Sequence, residues 1–141
     1  MRKLFYILNL TWGLPMNLIG AVVALGLRAV GKRPERYGDC WCFTAGKGWG
    51  GVSFGLVMVV AEGASTHTKN HEHGHAVQNA LYGVFMPFIV SIPSAARYWH
   101  FTVARKRGKG DTLPPYDSAW FEGQATAWGT KYYEALNKKK E

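Results

Sequence analysis

From Leu4 through Leu27 the chain carries no charged residue, and the run is apolar apart from Asn9, Thr11 and Asn17, with Pro15 breaking it. As one helix rising about 1.5 Å per residue it would cross the ~30 Å hydrocarbon core of a bilayer, so residues 1–31 are expected to form a transmembrane or membrane-associated anchor. The polar interruptions and Pro15 point to a second form, a kinked helix packed on the rest of the chain, and a buried amphipathic hairpin is a third. Arg2 and Lys3 would suit a signal peptide, but the run is long for one. Ala21–Ala24 also offers no clean small-x-small cleavage site, so retention is expected. If the segment spans, Arg28, Lys32, Arg33 and Arg36 outweigh the two leading charges and keep the bulk of the chain on the cytoplasmic side.

After Pro34 the pattern shortens. Cys40 to Thr44 and the Val-rich Val52 to Val60 read as two strands joined by a loose hairpin over Gly46 to Gly51. No G-x-x-x-x-G-K-[ST] or G-x-G-x-x-G pattern leads from these glycines into a helix, which makes them a turn and not a phosphate cradle. Glu62 to Asn70 is polar and offers Ser65, Thr66, Thr68 and Asn70 as helix caps. A helix then runs through Leu81 with Ala76, Val77, Ala80 and Leu81 to bury. Val84 to Ala96 is apolar but holds Pro87 and Pro93, too short for a span and suited to a buried or interfacial element. Arg97, Tyr98 and Trp99 would give it a headgroup-level edge. Pro114-Pro115 announce a last helix, with Asp117 or Ser118 as its cap. The expectation is one α+β domain over residues 32–141.

Composition narrows the function. The 141 residues are 48% hydrophobic and 14% aromatic with six Trp, enough for a real core, and the formal charge is +8. That charge sits in three clumps, Arg28–Arg36, Arg105–Lys109 and Lys138–Lys140, with no recognition-helix, finger or RNP pattern around them. Anionic lipid headgroups explain the first clump at least as well as nucleic acid does, and membrane lipid is expected as a partner where nucleic acid is not. Cys40 and Cys42 stand in C-x-C spacing, without disulfide geometry on a strand, and read as reduced strand residues.

The chemistry concentrates in His71-Glu72-His73-Gly74-His75. On a helix, residues four apart differ by about 40° around the axis, so His71 and His75 can share one metal, while Glu72 lies roughly 100° away. That offset keeps the carboxylate out of the ligand set and lets it reach a water beside the metal, as general base. His73 should point away, as an exposed or supporting residue. His67 competes as a ligand, but the irregular stretch before Asn70 should not hold it on the same helix. Gly74 costs about 1 kcal/mol in a helix interior, which makes sense where another backbone approaches closely. Gln78 and Asn79 could support the ligands through hydrogen bonds. Surface histidines on a solvated first turn are the plain alternative.

Two imidazoles need a third ligand. Glu122 is the best candidate, because Ala125 and Thr126 on its own helix face are small enough for tight packing on the motif helix. Asp117 is the runner-up, and a first-turn acid complementing the helix dipole is the alternative for Glu122.

His71-Glu72-x-Gly74-His75 with Gln78, followed by Gly83, Pro87, Ile92-Pro93-Ser94, Trp120-Phe121-Glu122 and Ala125, resembles small bacterial membrane proteins with an H-E-[Y]-G-H-x-x-Q signature, gluzincin-like. The resemblance covers most of the chain from Trp49 onward, and His73 departs from the aromatic residue usual at its position. It implies a minimal zincin-like fold with zinc on His71, His75 and Glu122 and with Glu72 as base. The expected activity is a membrane-associated zinc metallopeptidase acting on a peptide or protein substrate, which the Val52–Val60 strands could align by edge pairing. A non-catalytic zinc protein with a structural or sensing role is the alternative.

Overall fold

The computed structural model describes residues 1–138; Lys139 to Glu141, with the end of the third basic clump, lie outside the described residues. The architecture is mixed α+β. Helices α1 (Arg2–Leu10) and α2 (Leu14–Ala29) are followed by strands β1 (Glu35–Tyr37), β2 (Cys40–Thr44), β3 (Gly51–Phe54) and β4 (Val57–Val60). Helix α3 (Thr66–Tyr82) then leads through a 3-10 turn, Gly83–Phe85, and a π-helical turn, Pro87–Ser91, into α4 (Ile92–Lys106). Two more 3-10 turns precede α5 (Trp120–Asn137).

The amino-terminal run takes the kinked form. It breaks between Leu10 and Leu14, where Pro15 opens α2, and the two helices meet at 86°. Among the described residues no single helix is long and apolar enough to cross a membrane, so the expectation of one straight span does not hold. The polar residues that interrupted the run explain the bend. Asn17 donates to the Asn9 and Gly13 carbonyls and accepts from the Leu56 amide, tying the elbow to the sheet. Asn79 on α3 donates to Asn9 and to the Gly13 carbonyl. Phe5, Asn9, Met16 and Gly20 are the buried residues of the two helices.

The sheet corrects the hairpin expectation. Its order is β1-β2-β4-β3, and β2 runs parallel to β4 instead of pairing back on it. Val52 to Val60 is itself a hairpin, β3 and β4 antiparallel around Gly55, whose φ of +66° few other residues adopt. The edge strand β1 carries no strand signal in the sequence, since Glu35-Arg36-Tyr37 has no apolar alternation. Strand β4 is buried along its whole length because both faces are covered. Met58 and Val60 join Phe5, Cys40, Cys42, Ala76 and Ala80 on the α3 side, and Val57 and Val59 join Phe43, Val23 and Leu27 on the α2 side. Both cysteines are free and buried, as expected of strand residues.

Candidate metal centre

Helix α3 starts earlier than the polar composition suggested. Ser65 is its cap, its hydroxyl accepting from the Thr68 amide at 3.1 Å, so His67 lies on the motif helix after all. Its side chain is exposed, 3.9 Å from Asp117 Oδ2, and outside the group that converges below it. Neither Asp117 nor Ser118 caps α5; Ala119 holds that position without a side-chain bond.

Helices α3 and α5 cross backbone to backbone. A Cβ on Gly74 would collide with the Ala125 carbonyl, and one on Gly129 with the Asn70 carbonyl. This is the close approach expected at Gly74, and Gly129 is its counterpart. The crossing delivers Glu122 to the histidine pair: Glu122 Oε2 lies 3.0 Å from His71 Nε2 and 3.5 Å from His75 Nε2. One donor atom from each residue falls within 4.8 Å of the others, and all three side chains are buried. His71, His75 and Glu122 therefore form a group that can hold a metal ion.

The surrounding hydrogen bonds fix which nitrogens face the group. The Thr126 hydroxyl has one proton and gives it to Asp117 Oδ2, 2.8 Å away, so its oxygen accepts from His71 Nδ1–H at 2.9 Å. Gln78 spends its amide protons on the Phe121 carbonyl and Gln124 Oε1, and its own oxygen accepts from His75 Nδ1–H at 2.7 Å. With both Nδ1 atoms protonated, both Nε2 atoms present lone pairs to Glu122 in the neutral imidazoles. Neither Glu122 oxygen receives a well-aligned hydrogen bond despite complete burial. Lone pairs aimed at a buried carboxylate need a positive charge between them.

Electrostatics agree. Burial pushes Glu122 up, but His71 and His75 outweigh it and hold the carboxyl well below its usual range. Burial works against charge on His75 too, yet Glu122 and Glu72 raise it. The two shifts are reciprocal: the carboxylates favour positive charge at His75, and positive charge beside Glu122 favours its carboxylate, the place a cation would take. Glu72 is the opposite case: burial dominates and raises it, with His75 and His71 offsetting only part. Its Oε2 is buried without a partner, and its carboxyl packs so closely on Gly51 that any side chain there would meet it.

Asp117 is thus a support for His71 through Thr126 and not a ligand. Thr126, expected only as a small packing residue, carries the link; the nine-residue interval from Asp117 spans a turn and a helix start, which hid their meeting. Gln78 supports His75 as anticipated, whereas Asn79 faces away toward Asn9. His73 is fully buried, not exposed, its ring parallel to Phe5 at 6.1 Å and its Nε2 accepting from the Asp39 amide. Arg97 donates to the Pro115 and Tyr116 carbonyls and to Ser118, and so steadies the loop that carries Tyr116 and Asp117.

A cleft of about 810 Å³ opens over the group, lined by His71, Glu72 and His75, by Gly50 to Phe54 of the β3 edge, and by one face of α4 with the turn before it. Tyr116 and Ser94 flank the Glu122 carboxylate at its floor. No family model, curated protein or solved structure matches the chain.

Proposed function

We propose that the chain is a membrane-associated zinc metallopeptidase, with zinc on His71, His75 and Glu122 and with Glu72 as general base. The observation that carries this reading is Glu72, a buried carboxyl with an unpartnered oxygen and a raised pKa, beside a metal-binding group and in an open cleft. A structural or sensing site has no use for such a group. Zinc, when bound, supplies Lewis acidity to a carbonyl and acidifies a water. Glu72 takes a proton as the water oxygen bonds to the peptide carbon, then gives it to the amine nitrogen as the C–N bond breaks. The desolvation that raises Glu72 makes it a stronger base than a solvated carboxylate. The unpaired outer edge of β3 runs beside Glu72 and suits an extended peptide, which main-chain hydrogen bonds would hold as a further strand.

Membrane association is supported by apolar side chains that nothing among the described residues covers. Leu18, Val22 and Leu25 on α2 and Phe88 and Ile92 around the start of α4 are each more than half exposed. Trp12 and Phe85, 5.8 Å apart, add two further exposed aromatic rings, and exposed apolar clusters of this kind mark interaction surfaces. Arg28, Lys32 and Arg33 at the end of α2 suit the anionic cytoplasmic leaflet.

The test is elemental analysis with a peptide-hydrolysis assay on purified protein. One equivalent of zinc, kept in Glu72→Gln while hydrolysis disappears, is the expected result. Zinc without hydrolysis in the wild type would favour the non-catalytic alternative, and no bound metal would sink both.

A further inference from the structure

The cleft differs from end to end. Val90, Ser91, Ser94, Ala95, Tyr98, Trp99, Thr102, Arg105 and Lys106 all line it, and their three- and four-residue spacing makes them one stripe along α4 and the turn before it. At one end Val90 packs with Met16 and Met86, and Phe54 of β3 closes over them. Ser94 marks the metal group, because it flanks Glu122. Arg105 and Lys106 stand at the other end, exposed, and neither forms an ion pair among the described residues. The acids of the cleft lie elsewhere: Glu72 is at the metal group, and Asp117 is already engaged by Thr126 and approached by His67.

The spacing converts into a substrate. Ser94 to Arg105 spans about 16 Å of helix, and an extended peptide advances about 3.3 Å per residue, so the basic end lies roughly five residues from the metal group. The Val90 end lies about 6 Å on the other side, one or two residues away. Resting on the peptidase reading, we infer that the cleft selects an amphipathic peptide with an apolar side chain next to the scissile bond and an acidic residue four to six positions beyond it, read by Arg105 and Lys106. The apolar side chain packs beside Phe54 at the Met16, Met86 and Val90 end of the cleft, and the acid pairs with the two cations.

The experiment uses the full chain loaded with zinc. Binding of dye-labelled thirteen-residue peptides to Glu72→Gln is followed by fluorescence anisotropy, and cleavage of the same peptides is followed with the wild type. The peptides carry Leu at the centre and Asp, Asn or Lys four to six positions to either side. The Asp peptides should bind about ten-fold more tightly than their Asn counterparts, and high salt should erase the difference. Leu→Asn at the centre should cost at least about ten-fold. The double variant R105E/K106E, at two exposed positions where folding is checked by circular dichroism, should transfer the preference to the Lys peptides. Equal binding of the three series, or a preference the double variant leaves in place, would overturn the inference. So would a double variant that loses only its binding to phosphatidylglycerol vesicles, because the two cations would then be reading lipid. Selective binding to Glu72→Gln without cleavage by the wild type would uphold this inference and refute the peptidase reading.

Discussion

The two sides of α3 carry the same residue type to opposite ends. His71 and His75 face Glu122 with lone pairs that no proton of the protein satisfies, whereas His73, between them in sequence, accepts from the Asp39 amide and lies against Phe5 and Tyr132. Asp39 itself is fully buried and saturated, with Arg2, Tyr6 and Tyr132 all donating to it. On one side the buried carboxylate has its donors in place, although His73 Nδ1 has no partner, and on the other both carboxylate oxygens are short of a positive charge. Burial alone does not separate them, since all three histidines are buried. What separates them is the carboxylate each faces: Asp39 is saturated and Glu122 is not.

The sharpest break in that contrast is His75→Ala, which should abolish stoichiometric zinc by elemental analysis and hydrolysis with it. His73→Gln should leave the metal content at one equivalent. Next, Glu72→Gln should keep the zinc and lower the hydrolysis rate by about 10²–10⁴-fold, the range of a lost general base.

A smaller effect belongs to the Asp39 side and appears in stability. Burial lowers His73 from 6.5 to about 4, with Asp39 opposing and Arg36 assisting. Between those values the unfolded chain binds the proton and the folded chain does not. The contribution is therefore present above about pH 6.5 and is lost as pH falls toward 4, by about 3 kcal/mol in all. Urea unfolding of metal-free protein should show this slope in the wild type, and the difference from His73→Gln isolates it. Were the two to share one pH profile, the buried neutral imidazole would be refuted. Smallest is Thr126→Val, which cuts the link from Asp117 to His71. It should weaken zinc about 10–100-fold in a chelator competition, with Thr126→Ser restoring most of the affinity.

The helical part of the site was legible because its signals are local. His71, Glu72 and His75 follow from the helical repeat, and Glu122 from the small residues beside it. The Gly74 contact followed from the cost of a glycine in a helix. Partners set by the tertiary path were not legible. His73 has no sequence neighbour that reveals Asp39, and Thr126 meets Asp117 only because a 3-10 turn folds one over the other. The parallel pairing of β2 with β4 is hidden for a similar reason: a hairpin is the simplest reading of two adjacent strands, and the Val-rich stretch shows no break between β3 and β4 beyond Gly55. The apolar amino-terminal run misled toward one straight helix because composition counts side chains and not the carbonyls and amides that Asn9 and Asn17 engage.

The glycine contact between α3 and α5 has a bearing on how this pocket can change over generations. Where two main chains touch, the gap between the imidazole pair and the acid is gauged by atoms common to every amino acid. Substitutions on the exposed faces of either helix redecorate the exterior and leave that gauge alone. A single added methyl at Gly74 or Gly129 would reset it at once. Heritable variation should accordingly be generous on those exposed faces and nearly forbidden at two points that offer no ligand atom of their own.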